Sequence, residues 1–176
     1  SPTTSIAGYL TDVGAALSGL PVGLPVAVGT GDDFAALLGC GISQPGTVCV
    51  TIGTGEIIGA LVEKLVIDTD QLVETHIFCT GHYHLGNPGW LSGGAIRWFL
   101  NTFSVKDDAE FSALAAQAPP GCDGLLFIPA LTGATAPQWL DKARGTFHGM
   151  TTSHTKSHFA RAVLEGTSFA MRDVID

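Results

Sequence analysis

Residues 47–62 read TVCVTIGTGEIIGALV and decide the fold, because two apolar, β-branched runs flank a glycine-rich turn. The runs are residues 47–52 and 56–62, and the turn is Gly53-Thr54-Gly55. Glycine is frequent in tight turns because it adopts backbone angles that other residues avoid. The sequence therefore predicts a β-hairpin with a glycine-rich tip.

The hairpin tip admits two interpretations. Successive N–H groups at such a tip, together with the Thr54 hydroxyl, can line a phosphate, but an ordinary β-turn needs the same residues. Residues 1–63 contain no Lys or Arg and five acidic residues, namely Asp12, Asp32, Asp33, Glu56 and Glu63. A phosphate at the tip would therefore need backbone amides and a divalent cation. This favours Mg²⁺ that arrives with a nucleotide and is held by water, carboxylate and phosphate oxygens.

A second motif precedes the hairpin. Residues 24–29 (LPVAVG) predict a short strand, and Gly29-Thr30-Gly31-Asp32-Asp33 leads into an apolar stretch that predicts a short helix. The two carboxylates at this helix start are explained by capping and by the helix dipole, which is the favoured interpretation when the motif is taken alone. The alternative is a general base in a turn whose glycines let a ligand approach, as phosphoryl transfer to a hydroxyl requires.

The rest of the chain alternates between strand and helix patterns. Ser153 is the expected N-cap of the last helix. The predicted elements are a strand at 72–78, a helix at 91–103 with a glycine-rich start, a helix at 107–118, a buried strand at 124–131 and a long helix from residue 151 to the end.

Composition excludes several classes of protein. The chain has 176 residues, with 8 Lys and Arg against 16 Asp and Glu, and its net charge of −8 argues against a nucleic-acid groove. No apolar run approaches the roughly 20 residues of a membrane helix, and the cytoplasm is the expected compartment. The widely spaced cysteines are expected to be reduced and buried, and no set of metal ligands is predicted.

Several segments, read in order, resemble the FGGY carbohydrate kinases. The resemblance covers nearly the whole chain and includes Ala143-Arg144-Gly145-x-Phe147-x-Gly149 and the helix that begins Arg161-Ala162-Val163. Within the family the chain is most similar to xylulokinases, and at Gly133-x-x-Ala136-Pro137-x-Trp139 it is also similar to glycerol kinases. The segments are residues 24–39, 46–60 (GTVCVTIGTGEIIGA), 90–99 (WLSGGAIRWF), 125–149 and 153–176.

This resemblance implies an α/β protein of the actin- and hexokinase-like fold, with ribonuclease H-like domains around a cleft for sugar and ATP. Residues 1–45 are similar to the end of the N-terminal sugar-binding domain, and residues 46–176 to the first part of the C-terminal nucleotide-binding domain. Members of the family are roughly three times as long, and many are homodimers. The resemblance thus implies part of a longer chain and leaves open whether this part is active alone.

The resemblance also implies roles for individual residues. Asp32 would accept the proton of the attacking sugar hydroxyl. Asp33 stands where the family often has Gln or Asn, and because an ionised Asp can only accept hydrogen bonds, the usual sugar contact must differ here. The expected nucleotide contacts are Gly53, Thr54, Gly93 and Arg97, with ATP and Mg²⁺ as cofactors. The expected activity is phosphorylation of a small sugar such as D-xylulose, and the alternatives are another polyol or ketose such as glycerol, or a sugar-binding module without catalysis.

Overall fold

The computed structural model describes residues 2–175, so Ser1 and Asp176, the end of the predicted last helix, lie outside it. The described residues form eight strands, five helices and one 3₁₀ turn in a mixed α/β arrangement. The order is β1 (Ile6–Tyr9), α1 (Asp12–Ser18), β2 (Pro25–Ala27), α2 (Asp32–Gly39), β3 (Val48–Ile52), β4 (Gly55–Val62), β5 (Glu74–Ile77), β6 (Tyr83–Leu91), α3 (Gly93–Thr102), α4 (Asp108–Ala115), the 3₁₀ turn Cys122–Gly124, β7 (Leu126–Ile128), β8 (Thr146–His148) and α5 (Lys156–Ile175).

The predicted hairpin, β3 and β4, forms one half of the main sheet, with β3 at its edge. The four strands of the sheet are all antiparallel and lie in the order β3-β4-β6-β5. Val48 pairs with Ala60 and Ile52 with Glu56, so the chain reverses over residues 53–55, as the sequence predicted. Strand β4, which β3 and β6 flank on both sides, is buried at Glu56, Ile58, Gly59 and Leu61.

Strand β6 was not predicted, because its sequence YHLGNPGWL has the glycine, asparagine and proline content of a loop. The glycines are explained by packing. A Cβ on Gly86 would lie 2.2 Å from the Ile58 carbonyl oxygen. Close approach of two backbones excludes a side chain there, so the glycine belongs to the sheet.

The two faces of the main sheet contact different parts of the chain. On one face, Leu61 and Cys49 pack with Leu37 of α2, and Phe34 joins the same cluster. The opposite face, with Ile58, borders a cavity of about 430 Å³ that the C-terminal end of α5 also lines.

The largest core lies beside the sheet, between α3, α4, α5 and β7. Phe99, Phe111 and Val163 are almost completely buried there. Helix α5 contacts β7 so closely that a Cβ on Gly166 would lie 2.1 Å from the Phe127 carbonyl oxygen. A single glycine therefore sets the distance between the long helix and this strand.

Some local expectations were wrong. The buried strand predicted at 124–131 is the three-residue strand β7, which is exposed at both ends. Ser153 is not the N-cap of α5, since the first carbonyl to accept helical N–H groups is that of Thr155. All four cysteines are free, but Cys40 is exposed, whereas Cys122 is buried, which raises its thiol pKa to about 11.

The N-terminal segment contributes little to either core. Strands β1 and β2 form a small antiparallel sheet, and α1 has no buried residue. Apolar side chains such as Val13 and Leu17 are exposed. Within residues 2–175, no helix has both the length and the apolar character that crossing a membrane requires.

We predict that Gly166→Ala lowers the free energy of unfolding by about 3 kcal/mol, because the new methyl group would overlap the Phe127 backbone. Gly39→Ala is the matched control, since Gly39 ends α2 and a Cβ there meets nothing within 4 Å. The control should raise the free energy of unfolding by less than about 1 kcal/mol. Urea melts of the two variants test this, and equal midpoints would contradict the packing argument.

Candidate functional site

The hairpin tip and the start of α3 are joined by backbone hydrogen bonds. The Gly93 N–H donates to the Gly53 carbonyl oxygen at 3.1 Å, and the Gly94 N–H donates to the Thr54 carbonyl oxygen at 2.8 Å. The Ser92 N–H also donates to the Thr54 carbonyl, at 3.2 Å. A Cβ on Gly93 would lie 2.4 Å from the Gly53 oxygen, so only glycine permits this approach. We call this contact the tip–helix junction.

The junction changes the expectation for phosphate binding. The Gly53 N–H donates to the Gly55 carbonyl oxygen at 2.8 Å, and the first N–H groups of α3 donate to the tip. These amides are therefore already bonded and do not point at a ligand. Within residues 2–175, the Thr54 N–H and hydroxyl donate to no other group. The backbone donor that the tip retains for a ligand is thus at Thr54.

A pocket of about 430 Å³ lies against the junction. Arg97, one turn into α3, is exposed, and its guanidinium has no hydrogen bond or ion pair with any other residue the structure describes. The pocket therefore combines the Thr54 hydroxyl, the Thr54 amide and the positive charge of Arg97, none of which has a partner among the described residues. Its lining residues are Gly53, Thr54, Leu91, Gly93, Gly94 and Arg97, which include all four nucleotide contacts expected from the sequence.

Asp32 and Asp33 lie at a different place, as the first two residues of α2. Gly31 occupies the N-cap position, so neither carboxylate caps the helix. Asp32 is exposed, and its Oδ1 accepts a hydrogen bond from the Asp33 N–H at 3.1 Å. Neither aspartate lines the pocket at the junction.

Asp33 is partly buried, and its charge acts on His84 of the main sheet. Burial lowers the pKa of His84 on β6, His76 lowers it further, and the negative charge of Asp33 opposes both. The ring of Phe34 lies 5.1 Å from that of His84. Helix α2 thus contacts the sheet through the Phe34 and His84 rings, with Asp33 near His84.

One residue beside the pocket was missed by sequence reasoning. Glu56 follows the tip directly, is only 2% exposed, and its Oε1 accepts a hydrogen bond from the Trp90 N–H at 3.2 Å. In the sequence it counted only as one of the acidic residues near the tip. The available signal was an acidic residue at the start of an apolar strand. Such a side chain either lies at the edge of the sheet or is buried with the strand, and burial is unusual for a carboxylate.

Comparison with known proteins identifies the family. Residues 48–176 match the model of the C-terminal domain of the FGGY family of carbohydrate kinases. The chain belongs to this family. A gluconokinase from Bacillus licheniformis is 30% identical over 98% of this chain and 36% of its own length. A glycerol kinase from Myxococcus xanthus is 35% identical over 89% of this chain and 33% of its own length.

A solved structure of the same family agrees in fold. The ligand-bound xylulose kinase from Lactobacillus acidophilus superposes with a TM-score of 0.90 at 28% identity, over 99% of this chain and 36% of that one. The expected actin- and hexokinase-like α/β fold is therefore confirmed, as a part of that fold. This FGGY chain spans about a third of the length of the relatives it matches.

We predict that Gly93→Ala destabilises the protein by about 1–3 kcal/mol, because its methyl group would displace the Gly53 carbonyl. Gly53→Ala is the control at the other side of the same contact, where a Cβ would lie at an ordinary 3.6 Å from the Gly55 oxygen. The control should stay within about 0.5 kcal/mol of the wild type. Thermal unfolding followed by circular dichroism measures both, and an equally stable Gly93→Ala would refute the close approach.

Proposed function

We propose that this FGGY chain carries the phosphate-binding and proton-accepting residues of an ATP-dependent kinase of a small sugar, with D-xylulose as the first candidate substrate. The observation that supports it best is the pocket at the tip–helix junction, where Thr54 donors and the Arg97 charge have no partner among the described residues. Phosphoryl transfer requires mainly positioning and stabilisation of charge, which such groups supply.

In this proposal, the Thr54 amide and hydroxyl hold the transferring end of the nucleotide beside Gly53, and the Arg97 charge seats the rest of its phosphate chain beside Gly93. Among residues 2–175 no carboxylate lines the pocket, so Mg²⁺ would come with the nucleotide and be held by phosphate and water oxygens. When bound, the ion neutralises charge on the phosphoryl group. Residues 46–176 then form the nucleotide side, and residues 1–45 form the end of the sugar side.

Asp32 is the proposed general base, and Asp33 is the proposed sugar contact. Asp32 is exposed at the start of α2, and its one described hydrogen bond is to the neighbouring amide, so a carboxylate oxygen remains available to accept a proton. Asp33 can only accept hydrogen bonds when ionised, which suits the hydroxyl groups of a sugar.

The test is ADP release with Mg-ATP and one candidate substrate at a time: D-xylulose, L-ribulose, D-ribulose, glycerol and gluconate. We predict that Asp32→Asn lowers kcat about 10²–10⁴-fold with the substrate that works, because the attacking hydroxyl loses its proton acceptor. Asp12→Asn is the control, since Asp12 also begins an exposed helix. Near-normal turnover by a folded Asp32→Asn protein would rule out the base.

The second candidate is a sugar-binding module that does not transfer phosphate. It is favoured by one observation, that the Gly53 and Gly93 amides are bonded within the protein and are not donors to a phosphate. A module of this kind would bind sugar and would not respond to Mg-ATP. Release of ADP with one substrate argues for the kinase, and no release together with no nucleotide binding argues for the module.

We predict that Arg97→Gln weakens Mg-ATP binding about 10-fold and leaves the affinity for sugar unchanged, because a charged hydrogen bond to phosphate is lost. Lys106→Gln is the control, since this exposed cation lies beyond the end of α3 and outside the pocket. Calorimetric titration with Mg-ATP compares the variants. If both weaken binding equally, Arg97 acts only through net charge and its assignment fails.

A further inference from the structure

We propose that Glu56 is a positioning residue of the nucleotide pocket. Through a buried hydrogen bond it fixes the segment 90–94, where β6 ends and α3 begins. The inference deepens the proposed function, since the nucleotide assigned to the pocket rests on that function. The position of this segment does not depend on the proposed function.

The first step of the argument is a β-bulge. Gly55 pairs with Leu91, but Ile57 pairs with Pro88, so two residues of β6 lie opposite the single residue Glu56 of β4. A bulge leaves one residue without its ladder hydrogen bond. Here the Glu56 Oε1 accepts the N–H of Trp90 at 3.2 Å and takes the place of the ladder partner.

The second step is the space made for this side chain. A Cβ on Gly89 would lie 2.4 Å from the Glu56 Cγ and 2.8 Å from its Oε1. Gly89, the second of the two residues opposite Glu56, is therefore a glycine because the carboxyl group occupies the space that its side chain would fill. The Thr135 hydroxyl donates to the Gly89 carbonyl at 2.7 Å and holds the bulge from its other side.

The third step concerns the protonation of the Glu56 carboxyl group. Its Oε2 is buried and has no hydrogen-bond partner in the described residues. Burial raises the pKa of the carboxyl group, and the Trp90 amide and the Ser92 side chain oppose that rise only in part. Both the neutral acid and a glutamine keep an oxygen that accepts from Trp90. Glutamine is thus the conservative replacement, and alanine removes the acceptor.

The fourth step connects the bulge to the pocket. Leu91 follows the bulge and lines the pocket, and the next three N–H groups bond to the hairpin tip. The Trp90 indole N–H donates to the Ala136 carbonyl at 2.8 Å, so both the side chain and the backbone of Trp90 are held. Without Glu56, the backbone on the pocket side loses its anchor and the indole anchor remains.

We predict that Glu56→Ala raises the rate of amide hydrogen exchange at residues 91–97 about 10-fold and weakens Mg-ATP binding by a similar factor, while the affinity for sugar is unchanged. Glu56→Gln should restore both values nearly to wild type. Glu165→Ala is the matched control, since this carboxylate also accepts a backbone N–H, from Gly121 at 3.1 Å, but lies outside the pocket. The control should leave both readouts unchanged.

The outcomes separate the two proposals. If the wild type binds no Mg-ATP, the proposed function fails, and the exchange rates at residues 91–97 still decide the role of Glu56. Unchanged exchange in Glu56→Ala, or an equal increase in the Glu165→Ala control, overturns that role, and so does Glu56→Gln behaving like Glu56→Ala. If Glu56→Ala does not fold, Gly89→Ala replaces it, since its methyl group would displace the carboxyl group and should loosen the same residues.

Discussion

The contact on which the rest of the structure depends is the pair of hydrogen bonds from the first amides of α3 to the carbonyls of the hairpin tip. It joins segments that are some forty residues apart in the chain, and it fixes where α3 begins relative to the main sheet. Gly93 is required there because any side chain would meet the Gly53 oxygen. This one close approach fixes the positions of the residues that line the pocket, including the backbone of Arg97 on α3.

The junction also determines which groups of this FGGY chain remain available to bind a phosphate. The N-terminus of a helix is often an anion site, because its first N–H groups have no partner. In α3 those groups bond to the hairpin, so the helix dipole stabilises the tip. In the proposed function, the positive charge for a phosphate comes from Arg97 and from a bound cation. This agrees with a segment that has no Lys or Arg up to residue 63.

The sequence predicted much of this arrangement. The hairpin was predicted from two β-branched runs and a glycine turn. Helices α3 and α5 were predicted from apolar spacing, α2 from an apolar stretch after two aspartates and α4 from its alanine content, with ends that differ by a few residues. Strand β6 and the role of Glu56 were missed for one reason. Glycine, asparagine and proline indicate a loop locally, whereas in the folded protein Gly86 and Gly89 are explained by groups far along the chain.

The sequence by itself determined the family, the hairpin and the residues that meet at the pocket, because these depend on local patterns and on motifs in order. Tertiary structure alone decided which hydrogen-bonding groups remain available. The amides of Gly53 and Gly93 are used within the protein, whereas Thr54 and Arg97 are not. The reason is physical: a donor's availability depends on its neighbours in space, and the partner of the Gly93 amide is the hairpin tip, some forty residues earlier in the chain, which no local pattern places there.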